Sequence, residues 1–297
     1  MNPAEVYLMG LMPTGRYTMM RTLDRLAALL GSSWQDFAWH ELRYEHVQAL
    51  RAKLAETQAP ATVNTALCAI RGVLRAAWRM GQMDTDAYLR TVDVSAVSGE
   101  ALLSGRAINA AELGSVLRAC VEDDSPAGAR DAAIIVIGYA GGLRRAEIVG
   151  LDAADVQDDG ETLAITVRHG KRNKERVVYL QGGAAHMVRD WLAVRGSRPG
   201  PLFMPGYKGG RLGPMRHMTG QAIHDIIAKR AGQAGVEDVT PLDLRRSFIS
   251  DLLDDGVDIC TIADLAGHED INTTARYDRR GESRKMRAAR RLTVPRP

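Results

Sequence analysis

Residues 240–277 read TPLDLRRSFISDLLDDGVDICTIADLAGHEDINTTARY. The segment opens with a helix start: Thr240 as the cap, Pro241 in the first position and Asp243 three residues after the cap. Gly267-His268 reads as a helix stop, with a histidine over the last carbonyls. Tyr277 lies nine residues beyond His268, which itself lies 23 beyond Arg245. Helix punctuation dominates this stretch.

Working outward, periodicity predicts helices over about 110–121, 128–140, 184–194 and 220–234, the first behind an Asn109/Glu112 capping pair. Between Asp155 and Leu180 the period changes to two: Leu163, Ile165 and Val167 alternate with Thr162, Ala164 and Thr166, and Val177-Val178 follow a polar turn. A small antiparallel sheet is the economical reading. The apolar stretch from Ala132 to about Leu143 contains three glycines and is too short to span a bilayer, so it reads as a buried core helix.

Upstream, Thr18–Leu30, Glu45–Ala55 and Ala61–Met80 carry helical stripes. In the last of these Arg71, Arg75 and Arg79 stand at i, i+4 and i+8, beside the apolar positions Leu67, Ile70 and Leu74. Residues 94–106 lose all periodicity and read as a linker. The expected organisation is a helical domain over 1–93, a linker over 94–106 and a second domain over 107–297 that ends in a tail, 278–297. The fold class is mainly α with a small antiparallel β-sheet.

A chain of 297 residues exceeds what one core usually organises, in keeping with two domains. Its 45% hydrophobic and 25% charged content is ordinary for a soluble globular protein. The three cysteines (Cys68, Cys120, Cys260) form no CxxC pair and the seven histidines show no ligand spacing, so neither a disulfide framework nor a metal site is expected. The opening MNPAEVYLMG does not read as a signal peptide. A cytoplasmic protein is expected. Net charge is only +3, and residues 1–100 balance ten Lys/Arg against ten Asp/Glu. The tail holds eight Lys/Arg and two acids, 8 − 2 = +6; a frayed, solvated terminus explains that as well as a nucleic-acid partner does.

Three segments carry the chemistry: Gly142-Leu-Arg144-Arg-Ala-Glu147, then Gly170-Lys171-Arg-Asn-Lys174-Glu-Arg176, then Thr240 through Tyr277. Each alone has a structural explanation. Arg144 would pair with Glu147 on a helix surface, the lysines would solubilise a hairpin tip, and Tyr277 would be half-buried packing. Together, their order and spacing resemble the tyrosine recombinase (phage integrase) family. That family has an Arg in a GLR-x-x-E motif, a Lys in a GKG-x-K-x-R hairpin, then HxxR, GH and a Tyr nine residues on. Arg144, Lys171, Arg245, His268 and Tyr277 fall on these positions. The resemblance covers the second domain; the first matches only in kind, as a helical DNA-clamping domain.

The resemblance implies site-specific cleavage and rejoining of DNA through a 3′-phosphotyrosine, with Tyr277 as nucleophile and no metal or nucleotide cofactor. Arg144 and Arg245 would grip the phosphate oxygens, where stabilising developing charge is usually the largest catalytic contribution. Lys171 would protonate the leaving 5′ oxygen, and His268 would hydrogen-bond the phosphate. Arg71, Arg75 and Arg79 would face the DNA backbone. Partners would be duplex DNA with inverted-repeat sites and further copies of the chain, in dimers and tetramers coupled by the tail; no membrane is implied. One position departs: Leu242 stands where the family has the histidine of HxxR. Asp243, next to it, would bring negative charge beside the phosphate. An impaired enzyme, or a DNA-binding protein of recombinase fold with little catalysis, is the alternative. A monomeric type IB topoisomerase would share the chemistry, but the small first domain and the tail argue against it.

Overall fold

The computed structural model of the chain describes residues 1–99, 105–168, 175–207 and 209–277. Lys171 and the tail 278–297 lie outside them, as does part of the expected linker. The chain divides into two units, with the boundary between Ser104 and Gly105.

The described residues of the first unit form five α-helices joined by loops, with no strand among them: α1 (Pro3–Met9), α2 (Pro13–Leu29), α3 (Tyr44–Ala55), α4 (Pro60–Arg79) and α5 (Thr85–Val92). Proline opens α1, α2 and α4, where its missing N–H is not needed and its fixed φ suits the first turn. The central element is α4, which buries Val63, Leu67, Ile70, Val73 and Leu74 and packs against the other four helices. Gly72 permits the approach of α1, since a Cβ there would fall 2.2 Å from the Tyr7 ring. Trp78 stacks on Tyr88 with centroids 5.2 Å apart, fixing α5 against the end of α4.

The second unit is α6 (Ala110–Val121), α7 (Pro126–Ala140), α8 (Arg145–Val149), β1 (Val156–Asp158), β2 (Leu163–Val167), β3 (Arg176–Leu180), α9 (Gly182–Arg195), α10 (Gly220–Gln233), α11 (Pro241–Asp254), α12 (Ile259–Ala266) and α13 (Ile271–Ala275). The protein is therefore mainly α with a small antiparallel sheet, of order β1-β2-β3. Apolar all round from Ala132 onward, α7 is the buried axis of this unit, with Ile134, Ile135 and Ile137 fully enclosed between α6, α9 and α11. Each such isoleucine stabilises the fold by about 1.5–3 kcal/mol. Among the described residues no helix is long and apolar enough to cross a membrane.

The sheet sets one feature that matters below. Ile165 pairs with Val178 and Val167 with Arg176. Side chains alternate across a strand, so Arg176 shares the inward face with the buried Val178 and Leu180. The first residue of β3 is thus a guanidinium aimed at the core side.

A buried polar network ties α6, α7 and α10 together. Asp131 accepts from Arg130 Nη2 at 2.7 Å and Arg230 Nε at 2.9 Å, and Arg230 Nη2 reaches Asp123 at 2.6 Å. Asp131 and Arg230 are almost wholly enclosed, so each charge is balanced where water cannot do it.

Candidate active site

Two tight turns and one helix start build the site. After α7 the chain reverses at Gly142, where φ is +60° and a Cβ would fall 2.4 Å from the Phe248 ring, so only glycine is admitted. The turn sends Leu143 into the core and leaves Arg144 as the cap residue of α8. Its backbone N–H donates to Glu147 Oε2 at 2.8 Å and its Nη1 to Glu147 Oε1 at 2.7 Å. A second turn ends α12 at Gly267, φ +64°, in the left-handed conformation that favours glycine.

Guanidiniums stitch these turns together. Arg245, the fifth residue of α11 and only 3% exposed, donates from Nη1 to Gly142 O and from Nη2 to Ala266 O, both at 2.6 Å. Arg144 Nη2 donates to Gly267 O at 2.7 Å. Arg176 reaches across from β3: its Nε donates to Leu265 O at 2.9 Å, and its Nη1 and Nη2 to the Glu147 carboxylate at 3.0 and 2.7 Å. Each guanidinium carries five N–H donors, so Arg144 and Arg245 keep donors for an external acceptor.

His268 follows the second turn. Its Nδ1 lies 2.7 Å from Thr274 Oγ1, and the Thr274 side chain is buried in α13. That contact orients the ring and leaves Nε2 for other partners. Burial, then the charges of Arg245 and Arg144, lower its pKa to about 4, so the imidazole is neutral at physiological pH. Burial and the Arg144 charge likewise bring Arg245 down to about 10, which keeps it cationic at neutral pH. The half-buried Tyr277 ring stacks on His268, with centroids 6.4 Å apart and planes at 12°. Arg246 places its guanidinium carbon 5.9 Å from the Tyr277 centroid, within cation–π range.

Arg144, Arg245, His268 and Tyr277 open onto one cavity of about 450 Å³, and Leu242 lies on its wall, 48% exposed. The structure therefore gathers four of the residues singled out from the sequence, together with the position that departs from the family pattern. Asp243 does not join them. It is 1% exposed and turned inward, accepting from Arg106 N at 3.0 Å and Arg246 Nη1 at 3.3 Å. The expectation that its charge would stand beside a phosphate is corrected: as third residue of the helix, its carboxylate folds back on the Thr240 cap.

Sequence reasoning missed Arg176 and Glu147 as parts of the site, and also Arg145 and His224, which line the cavity. The signal for Glu147 was its place three residues after Arg144. Lys171 is outside the described residues. In the first unit Arg71 donates to the carbonyls of Val92 and Val94, Arg75 to the Tyr88 hydroxyl at 3.3 Å, while Arg79 stands exposed in the last turn of α4.

Such a cavity can hold an oxyanion between fixed guanidiniums and bring a phenolic hydroxyl and a neutral imidazole to it. Comparison with known proteins gives the class a family. Residues 106–284 match the phage integrase family. The tyrosine recombinase XerD of Lacticaseibacillus casei is 33% identical over 240 residues, which cover 78% of this chain and 76% of that protein. The tyrosine recombinase XerC of Bifidobacterium longum is 34% identical over 161 residues, 50% of this chain and 42% of that protein, so the chain spans less than half of that relative's length. The XerH site-specific recombinase, solved bound to a palindromic difH substrate as a post-cleavage complex, superposes with a TM-score of 0.66 at 19% identity, covering 91% of this chain and 76% of the other. The chain belongs to the phage integrase family of tyrosine recombinases.

Proposed function

We propose that this chain is a site-specific recombinase that cleaves and rejoins duplex DNA, with Tyr277 as its nucleophile. The carrying observation is the convergence of Arg144, Arg245, His268 and Tyr277 on one cavity. In this reading Arg144 and Arg245 hold the non-bridging oxygens of one phosphodiester, and their anchoring to backbone carbonyls preorganises them. Glu147 fixes Arg144 and Arg176 in place. Nε2 of His268, oriented through Thr274, faces the same anion. The Tyr277 oxygen attacks phosphorus and gives its proton to solvent, and the bond to the 5′ oxygen breaks as that oxygen takes a proton from Lys171. The 3′-phosphotyrosine conserves the bond for rejoining.

Relatives named tyrosine recombinases and a neighbour solved on a palindromic substrate support duplex DNA with inverted repeats as the partner. Dimers and tetramers coupled by the tail 278–297, DNA contacts by the exposed Arg75 and Arg79 of α4, and a cytoplasmic location belong to the same proposal. A DNA-binding role without catalysis is not favoured, because an inert binder has no need to assemble a tyrosine with two arginines and a histidine. Incubation with a nicked duplex library of randomised sequence, followed by denaturing gels, tests the reading. The parent chain forms a covalent, protease-sensitive DNA adduct and Tyr277→Phe forms none at nearly unchanged affinity; an adduct that survives in the Phe variant removes Tyr277 as nucleophile.

A further inference from the structure

The cavity holds a second imidazole that no motif marked. His224 lies on α10, which packs against α8 and α11, the helices that carry Arg144 at a cap and Leu242 and Arg245 within the first five residues. Its half-buried side chain lines the cavity together with Leu242, Arg245 and Tyr277. Nδ1 of His224 is shut off from solvent and has no hydrogen-bond partner among the described residues. The neighbouring Asp225 Oδ1 stands at 3.6 Å, beyond hydrogen-bond range. With Nδ1 closed off, Nε2 is the ring nitrogen left to meet a ligand in the cavity.

His268 is committed on one side to Thr274 and stacked on Tyr277. Leu242 faces the cavity without any donor. A phosphodiester under attack becomes five-coordinate and gathers charge on its non-bridging oxygens, where each further donor in a fixed position accelerates the reaction. An imidazole carries at least one N–H in either charge state.

We infer that His224 is a catalytic residue whose imidazole N–H donates a hydrogen bond to a non-bridging oxygen of the phosphodiester held by Arg144 and Arg245, the contact that Leu242 cannot make. This rests on the recombinase reading above. His224 thus takes up, from a different helix, a duty for which position 242 has no chemistry. No bond is made or broken at His224.

The test is a four-chain cycle: the parent, His224→Leu, Leu242→His and the double variant. DNA recovered from adducts of the parent chain with the nicked library provides the single substrate for single-turnover cleavage. His224→Leu slows cleavage about 10–100-fold in the parent but less than about threefold when position 242 is histidine, since neighbours sharing one function are not additive. His224→Gln, which keeps an N–H donor, retains most of the rate. DNA affinity and melting temperature stay level across the set. No loss in the parent background, or the same loss in both backgrounds, overturns the inference while leaving the recombinase reading intact. Failure of every chain to form an adduct sinks both.

Discussion

Glu147 accepts both Nη groups of Arg176, 29 residues away in sequence, at 3.0 and 2.7 Å, and the same carboxylate holds Arg144 at 2.7 Å. One buried anion thereby positions two cations, one from a helix cap and one from a strand. Removing one member of a buried pair typically costs about 3–5 kcal/mol, because the partner charge stays behind unpaired. Glu147→Gln should therefore lower stability by an amount at the low end of that range, since the amide keeps one acceptor. It should also slow cleavage as Arg144 loosens. Urea unfolding measures the first effect and adduct formation the second. An unchanged urea midpoint would contradict the pairing.

Acid should act on the fold in two separate windows. Burial alone would raise the Glu147 carboxyl, but the hydrogen bonds from Arg176 and from the Arg144 backbone outweigh it and hold the pKa below the ordinary 4.5. A depressed carboxyl contributes stability that is present above its unfolded pKa and lost as pH falls through the folded one, so this loss comes below about pH 4.5. His268 acts earlier. Its pKa falls from 6.5 to about 4 on folding, so the unfolded chain binds the extra proton between those values. Stability should decline as pH drops from about 6.5 toward 4, by on the order of 1 kcal/mol once partial exposure is discounted. His268→Gln should flatten that part of the profile alone.

The buried network around Asp131 predicts a purely structural phenotype. With Asp131 gone, Arg130 and Arg230 keep their charges in an enclosed site. Asp131→Ala should cost about 3–5 kcal/mol and abolish activity only through loss of folded protein. A variant that melts normally yet fails to cleave would be the wrong outcome for this view.

The arginines of α4 should separate. Arg71 is engaged with the Val92 and Val94 carbonyls, so Arg71→Ala should lower stability by about 1–3 kcal/mol and leave the salt dependence of DNA binding alone. Exposed Arg79 should behave as a phosphate contact, its loss flattening the log–log salt slope by roughly 0.9. Equal slopes for the parent and Arg79→Ala would remove it from the DNA interface.

These differences follow what a sequence can carry. The long elements α4, α7 and α11 were legible because repeating apolar positions, or Thr240-Pro241 with Asp243, encode them within a few turns. The short α1, α5 and α13 were not, and of α12 only the stop at Gly267 was, since such helices owe their stability to packing rather than to their own residues. Arg144 and Glu147 looked like a surface pair because spacing reports a shared helix face and says nothing of burial. The third member, Arg176, arrives through strand register. His224 had no motif at all, and only the packing of α10 brings it to the cavity.

Leu242 bears the sharpest prediction. Residues 242 and 245 stand three apart on α11 and so share a face, and both line the cavity with Tyr277. The leucine is 48% exposed, so replacing it neither opens a void nor strands a polar group. Its neighbour Asp243 points inward and would not meet a new imidazole. Leu242→His should then leave folding and DNA affinity unchanged and add a donor beside the phosphate. Donors and proton acceptors of this kind contribute about 10²–10⁴-fold when the site has nothing in their place. With His224 already supplying one hydrogen bond, the gain should fall below that range, to roughly tenfold. With His224→Leu as background it should rise to about a hundredfold. Single-turnover cleavage in the two backgrounds measures both gains. Equal rates for leucine and histidine in either background would show that residue 242 stands outside the chemistry, and that Arg245 is not the second arginine of the family motif.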